Sequence, residues 1–165
     1  MKKALLLTLT LALISSLGFS QADKFWSVNT GNRNDIVTDK AVERLSYPKE
    51  FHLFNLNAAS LRQQLFTVVG QRPSAHSTVI SLPNADGNIE QFEVYEASNF
   101  EPALQAQFPE IRAYSGKGIT DQYATVKLSI SPQGVQAMVF RTDKENEFLE
   151  PYSDNHRVYA VYAAQ

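Results

Sequence analysis

Histidine and cysteine are the side chains most often used to build a zinc site, and the sequence offers few of them. His52, His76 and His156 are the only histidines, and they lie far apart in the chain. Two histidines on one helix face need a four-residue spacing, as in His-Glu-x-x-His, and no pair has it. Cysteine is absent, which excludes Cys–zinc sites, disulfides and thiol switches. The spacing of acidic residues matches no calcium-loop pattern either.

Nucleophilic and phosphate-binding motifs are also missing. No Gly-x-Ser-x-Gly elbow is present, and His76 beside Ser77 is typical of a polar loop cluster, although the three residue types of a Ser–His–Asp triad all occur. The stretch Ser115-Gly-Lys-Gly118 lacks the spacing of a Walker loop and indicates a turn-rich connection. We therefore predict that the residues present do not form an enzyme.

The N-terminus has the pattern of a secretory signal peptide. Lys2 and Lys3 precede an apolar run, and small residues lead to a cleavage site between Ser20 and Gln21. The alternative, a membrane anchor, would need about 20 apolar residues, and this run is shorter. Residues 1–20 are thus predicted to be removed, which makes the protein secreted or periplasmic and leaves no membrane attachment.

The exported chain is mildly acidic. Loss of Lys2 and Lys3 leaves 13 basic against 17 acidic residues, which argues against nucleic acid as a general partner. Residues 21–48 are polar and are predicted to be a partly ordered leader, the alternative being a strand added to the edge of a sheet. Residues 49–165 have the length of one domain.

Helix and hairpin signals follow one another from residue 51 onward. Asn57 is a typical N-cap, and an apolar stripe recurs at three- and four-residue steps until Gly70, which suits a helix C-terminus. Asp86-Gly87 is a strong hairpin turn, and pairing Ile80 with Phe92 places the apolar residues of both strands on one side.

The second half of the chain predicts one more helix and further strands. Pro102 suits the first position of a short helix, which is followed by a loop containing Gly116 and Gly118. Residues 124–131 alternate strictly between apolar and polar, as in a half-buried strand, and Pro132-Gln-Gly134 is a tight turn. The predicted fold class is α+β: a mostly antiparallel sheet of successive hairpins with two short helices.

Several segments resemble, in order and spacing, the pro-region of secreted bacterial reprolysin-like zinc metallopeptidases, which are metzincins. The matching segments are Phe54-Asn-Leu-Asn57 with Leu61 and Leu65, Ile80-Ser-Leu-Pro-Asn-Ala-Asp-Gly87, Phe92-Glu-Val-Tyr-Glu96, Pro102-Ala-Leu104, Phe108-Pro-Glu-Ile-Arg-Ala-Tyr-Ser-Gly-Lys-Gly118, Ser131-Pro-Gln-Gly134 with Ala137-Met-Val139, Pro151-Tyr152 and residues 159–162.

The resemblance implies a non-catalytic pro-region of a zinc metalloprotease precursor, which assists folding and covers the catalytic cleft. Zinc would belong to the implied catalytic domain, the partner of this chain, and no cofactor is expected here. The expected contact is the loop bearing Tyr114, Gly116, Gly118 and Asp121, either by steric occlusion or through the Asp121 carboxylate. The alternatives are a stand-alone secreted or periplasmic β-rich protein-binding module and, with no motif to support it, an independent hydrolase.

Overall fold

The computed structural model describes residues 23–38, 48–70 and 76–164. The predicted cleavage site at Ser20 and Gln21 lies outside these residues. Within them the chain forms nine strands and two α-helices. The strands are β1 (Trp26–Val28), β2 (His52–Leu56), β3 (Thr78–Pro83), β4 (Ile89–Glu96), β5 (Arg112–Gly118), β6 (Thr125–Ser131), β7 (Gly134–Phe140), β8 (Glu147–Pro151) and β9 (Val158–Ala163), and the helices are α1 (Ala58–Phe66) and α2 (Pro102–Gln107).

All the described strands join one sheet in the order β1-β2-β9-β8-β7-β6-β5-β4-β3, and every neighbouring pair is antiparallel. From β3 to β9 each strand pairs with the next one in the chain, as expected of successive hairpins. The sheet curls until β1 lies against β3, where the Trp26 indole Nε1 donates a hydrogen bond to the Ser81 carbonyl oxygen over 2.8 Å. The predicted mostly antiparallel sheet with two helices is confirmed.

The core lies inside the curled sheet, because alternation directs every second side chain inward. Ile80 pairs with Phe92, as predicted, and both are buried. Val126, Leu128 and Ile130 are buried in β6 while the residues between them are exposed. We use "inner face" for this side of the sheet and "outer face" for the opposite one.

Helix α1 packs on the inner face and begins where the sequence predicts. The Asn57 side chain accepts a hydrogen bond from the Ser60 N–H over 3.2 Å, which caps the N-terminus. Leu61 and Leu65 are fully buried, and Gly70 has a φ of 73°, the conformation that favours glycine after a helix. The N-cap and the apolar stripe of α1 are thus confirmed, whereas the helix ends earlier than predicted, with Thr67 as its C-cap.

Two local predictions are wrong or need refinement. The predicted glycine loop is strand β5, in which Gly116 pairs with Val94 on one side and Val126 on the other. Its glycines indicate close packing between strands instead of a turn. In the predicted leader, Trp26–Val28 is an edge strand and Trp26 is buried, so for these residues the alternative interpretation holds.

Candidate functional site

The loop from Ile119 to Tyr123, which joins β5 to β6, is the most protruding apolar segment near the predicted contact residues. The Ile119 side chain is 47 % exposed and that of Tyr123 is 78 % exposed. Exposed large apolar side chains that lie together often mark a binding surface. We call residues 119–123 the contact loop.

The backbone of the contact loop is fixed to β4 by two hydrogen bonds with Gln91. The Ile119 N–H donates to the Gln91 carbonyl over 2.8 Å, and the Gln91 N–H donates to the Thr120 hydroxyl over 2.9 Å. Gly118 permits the tight bend, because a Cβ at this position would lie 2.0 Å from the Asp121 carbonyl oxygen. The loop therefore presents its exposed side chains from a defined backbone.

Asp121 fastens the loop internally and to the next hairpin. Its Oδ1 accepts the Tyr123 N–H over 3.0 Å, and its Oδ2 lies 3.0 Å from Nη1 of Arg141. The Tyr123 N–H lowers the pKa of Asp121, and Arg141 lowers it further, against a smaller opposing effect of burial. The carboxylate thus stays ionised at neutral pH and is already engaged.

Beneath the loop lies a buried ion-pair cluster centred on Arg141, whose side chain is only 1 % exposed. Its Nη2 contacts Glu90 over 2.7 Å and Glu147 over 2.5 Å. Although burial disfavours its charge, these hydrogen bonds raise the pKa of Arg141. Asn84 also donates to Glu90, over 2.8 Å. The cluster connects three segments that are distant in sequence and fills one end of the curled sheet with charges.

Lys144 extends this cluster to the β3–β4 turn. Its Nζ lies 2.9 Å from Asp86 and 3.2 Å from Glu147. The hydrogen bond to Asp86 raises the pKa of Lys144, and the same bond lowers the pKa of Asp86. Three loops at this end of the sheet are therefore tied together by charge.

The structure separates the four predicted contact residues into two pairs. Gly118 and Asp121 border or belong to the contact loop. Tyr114 and Gly116 do not, since both lie in β5; Tyr114 points into the core and is 1 % exposed. Burial raises the pKa of the Tyr114 hydroxyl, which stays neutral. The prediction that these two residues form part of a contact loop is therefore wrong.

Sequence reasoning missed Glu90, Arg141 and Glu147, although the strands carry a signal for them. Alternation places Glu90 on the same face as Phe92, Arg141 on the same face as Val139, and Glu147 on the same face as Leu149. Buried charges on β4, on β8 and directly after the end of β7 need partners, and a buried cation between carboxylates satisfies all of them.

The histidines do not converge. His52 lies near Gly87 in the β3–β4 turn, whereas His156 lies near Gly134 in the β6–β7 turn. Among the described residues, no group of three or more His, Cys, Asp or Glu side chains is placed to hold a metal ion. Within the same residues, no helix is long and apolar enough to cross a membrane.

No protein-family model matches the sequence, and no curated protein or solved structure is similar to it at a significant level.

Proposed function

We propose that this chain is the non-catalytic pro-region of a secreted zinc metalloprotease precursor. It assists folding of the catalytic domain and inhibits it by covering its cleft. Export would remove residues 1–20, and mass spectrometry of the exported protein should detect a chain that begins at Gln21, or at Asp23 if cleavage follows Ala22. The proposal rests on the resemblance of the quoted segments and on the shape of the contact loop.

The contact loop is the observation that carries the proposal. A segment that blocks a cleft must protrude and must hold its shape, so that little conformational entropy is lost on binding. Ile119 and Tyr123 protrude, and hydrogen bonds to Gln91 and Asp121 fix the backbone between them. A tyrosine with this exposure is a typical anchor of protein interfaces.

The geometry favours occlusion over metal ligation. The Asp121 carboxylate already accepts hydrogen bonds from Arg141 and the Tyr123 N–H, and these donors compete with a zinc ion for its oxygens. The free-energy cost of weakening the charge-assisted Asp121–Arg141 pair opposes zinc ligation by Asp121. Ile119 and Tyr123 would therefore cover the cleft by contact, while zinc stays bound by residues of the catalytic domain.

The proposal is tested by inhibition in trans. Residues 21–165 would be added to the metalloprotease domain encoded in the same reading frame, and cleavage of a fluorogenic peptide would be followed. We expect inhibition by the wild-type chain, and inhibition weakened at least about tenfold by Tyr123→Ser, since truncating an anchor residue costs 2 kcal/mol or more. Val79→Ser is the matched control, because Val79 is also exposed, at 44 %, but lies on β3.

Two results would contradict the proposal. The first is a wild-type chain that does not inhibit. The second is a reading frame that continues past codon 165 without reaching His-Glu-x-x-His. Either result would favour the second candidate, a stand-alone secreted or periplasmic protein-binding module, which is supported by the outer-face groove described below.

A further inference from the structure

The outer face of the sheet carries a continuous row of side chains across six strands. The register places each member directly opposite the next, and the row runs Tyr95, Ser115, Lys127, Met138, Phe148 and Tyr162 from β4 to β9. With strands about 4.8 Å apart, the row is roughly 24 Å long. We call it the outer row.

Beside the outer row, smaller side chains form the floor of a groove of about 720 Å³. Ala113 pairs with Ser129, which pairs with Gln136 on the next strand, and Ala97 lies at the end of this second row. The floor therefore offers the Ser129 hydroxyl and the Gln136 amide beside short apolar side chains. A peptide backbone needs such hydrogen-bonding partners when it lies on a protein surface.

One wall of the groove is aromatic and held in place. The Phe148 and Tyr162 rings stack with centroids 5.6 Å apart and planes 24° apart. The Tyr162 hydroxyl donates to the Glu150 carboxylate over 3.0 Å, which fixes the ring. The face of an antiparallel sheet opposite its core is usually polar, so this apolar wall marks a surface built for contact.

A cation lies at the centre of the outer row. The Lys127 ammonium donates a hydrogen bond to the buried Ser115 hydroxyl, which holds the side chain down on the sheet. In the described part of the chain, this neutral hydroxyl is the hydrogen-bond partner of Lys127, and no carboxylate forms an ion pair with the Lys127 ammonium. An ammonium has three donors, so two remain for an anionic group of a ligand.

We propose that the groove binds an extended peptide of a protein partner, with an Asp or Glu side chain of the peptide on Lys127. Apolar side chains of the peptide would flank that residue and contact Tyr95 at one end and Met138 with Phe148 at the other. About seven extended residues span the outer row. Methionine beside aromatic rings suits adaptable peptide contacts. This inference does not depend on the proposed function, since the groove and the contact loop use different residues.

The test is selection from a phage-displayed library of random dodecapeptides on immobilised residues 21–165. We expect enrichment of peptides with an acidic residue between apolar residues. Lys127→Glu should bind these peptides at least about tenfold more weakly in fluorescence polarisation, the loss of one charge pair. Selected anew, Lys127→Glu should enrich a basic residue at the same place. Lys117→Glu is the matched control, because Lys117 is exposed on the outer face opposite Glu93 and outside the groove.

Control measurements separate a loss of peptide binding from misfolding and from self-association. Both lysines are exposed, so unchanged circular dichroism is expected for the two variants. No enrichment over uncoated beads overturns the proposal, and so do peptides that bind Lys127→Glu as tightly as the wild type. A wild-type dimer in light scattering that Lys127→Glu or Met138→Ala dissociates would assign this face to self-association and would also overturn it.

Discussion

Gly116 lies so close to Glu93 on the neighbouring strand that no side chain fits between them. A Cβ at Gly116 would stand 2.3 Å from the Glu93 carbonyl oxygen and 2.6 Å from Cγ1 of Val94. The obstructing carbonyl belongs to the backbone of β4, which is paired on both sides and cannot move aside without disturbing its hydrogen bonds to β3 and β5.

We therefore predict that Gly116→Ala lowers the free energy of unfolding by about 2 kcal/mol or more, through overpacking. Urea denaturation followed by circular dichroism measures this. Gly31→Ala is the control, because its Cβ would meet only the Asn29 side chain, at 3.2 Å. Equal midpoints for the two variants would contradict the packing described for β4 and β5.

Trp26 should be the most important residue of the N-terminal segment. It is buried, donates to the Ser81 carbonyl and packs edge-on against Tyr159 with centroids 5.4 Å apart. We expect Trp26→Ala to cost about 3–5 kcal/mol. Val28→Ala, on the same strand but 61 % exposed, should cost less than about 0.5 kcal/mol. Circular dichroism is the suitable probe, because Trp26 is the only tryptophan and its replacement removes the tryptophan fluorescence signal. A small effect of Trp26→Ala would show that the segment is a loosely attached leader.

Removal of Arg141 should destabilise the protein far more than removal of Lys144. Arg141→Ala leaves the buried Glu90 carboxylate without its cation and the buried Glu147 carboxylate with Lys144 alone, which costs about 3–5 kcal/mol. The Lys144 side chain is 35 % exposed, and loss of such a pair usually costs less than about 1 kcal/mol. Thermal unfolding of the two variants measures the difference. Similar melting temperatures would refute a structural role of the cluster.

Acid should weaken the attachment of the contact loop. The pKa of Asp121 is lowered in the folded protein, so its stabilisation is present above the unfolded pKa of about 3.9 and is lost as the pH falls through the lower folded value. In urea titrations, the stability difference between wild type and Asp121→Asn should therefore shrink from about pH 6 to pH 3. Asp86 and Glu96 also have lowered pKa values, so some acid sensitivity should persist in the variant. A difference independent of pH would contradict the assignment.

Local signals in the sequence predict the parts of the fold that depend on neighbouring residues. The N-cap of α1, the turn at Gly87 and the alternation in β6 each depend on a few adjacent positions, and all are present in the structure. Strand β5 was not predictable in this way, because glycines normally weaken a strand and favour turns. Its glycines are explained only by close contact with β4 and β6, which is a tertiary effect.

The candidate site was predicted only in part for a similar reason. Gly118 and Asp121 lie in a short segment with evident turn chemistry. Arg141, which pairs with Asp121, is twenty residues away in the chain. Glu90, which pairs with Arg141 from β4, is further away still. Alternation alone places Arg141 and Glu90 on the inner face, but it does not say that they meet.

The pairing of β2 with β9 has a consequence for the order of events during folding. Phe54 and Tyr159 are direct neighbours in the sheet although about a hundred residues separate them in the chain, and closing such a loop costs substantial entropy before any contact compensates for it. The seven strands from β3 to β9 are linked by antiparallel pairing of successive strands and can assemble first, whereas the β1–β2 pair joins β9 only when that last strand has been synthesised. Because topologies with distant contacts fold slowly, a chain that emerges N-terminus first cannot complete the burial of Phe25, Trp26 and Phe54 until β9 has been synthesised.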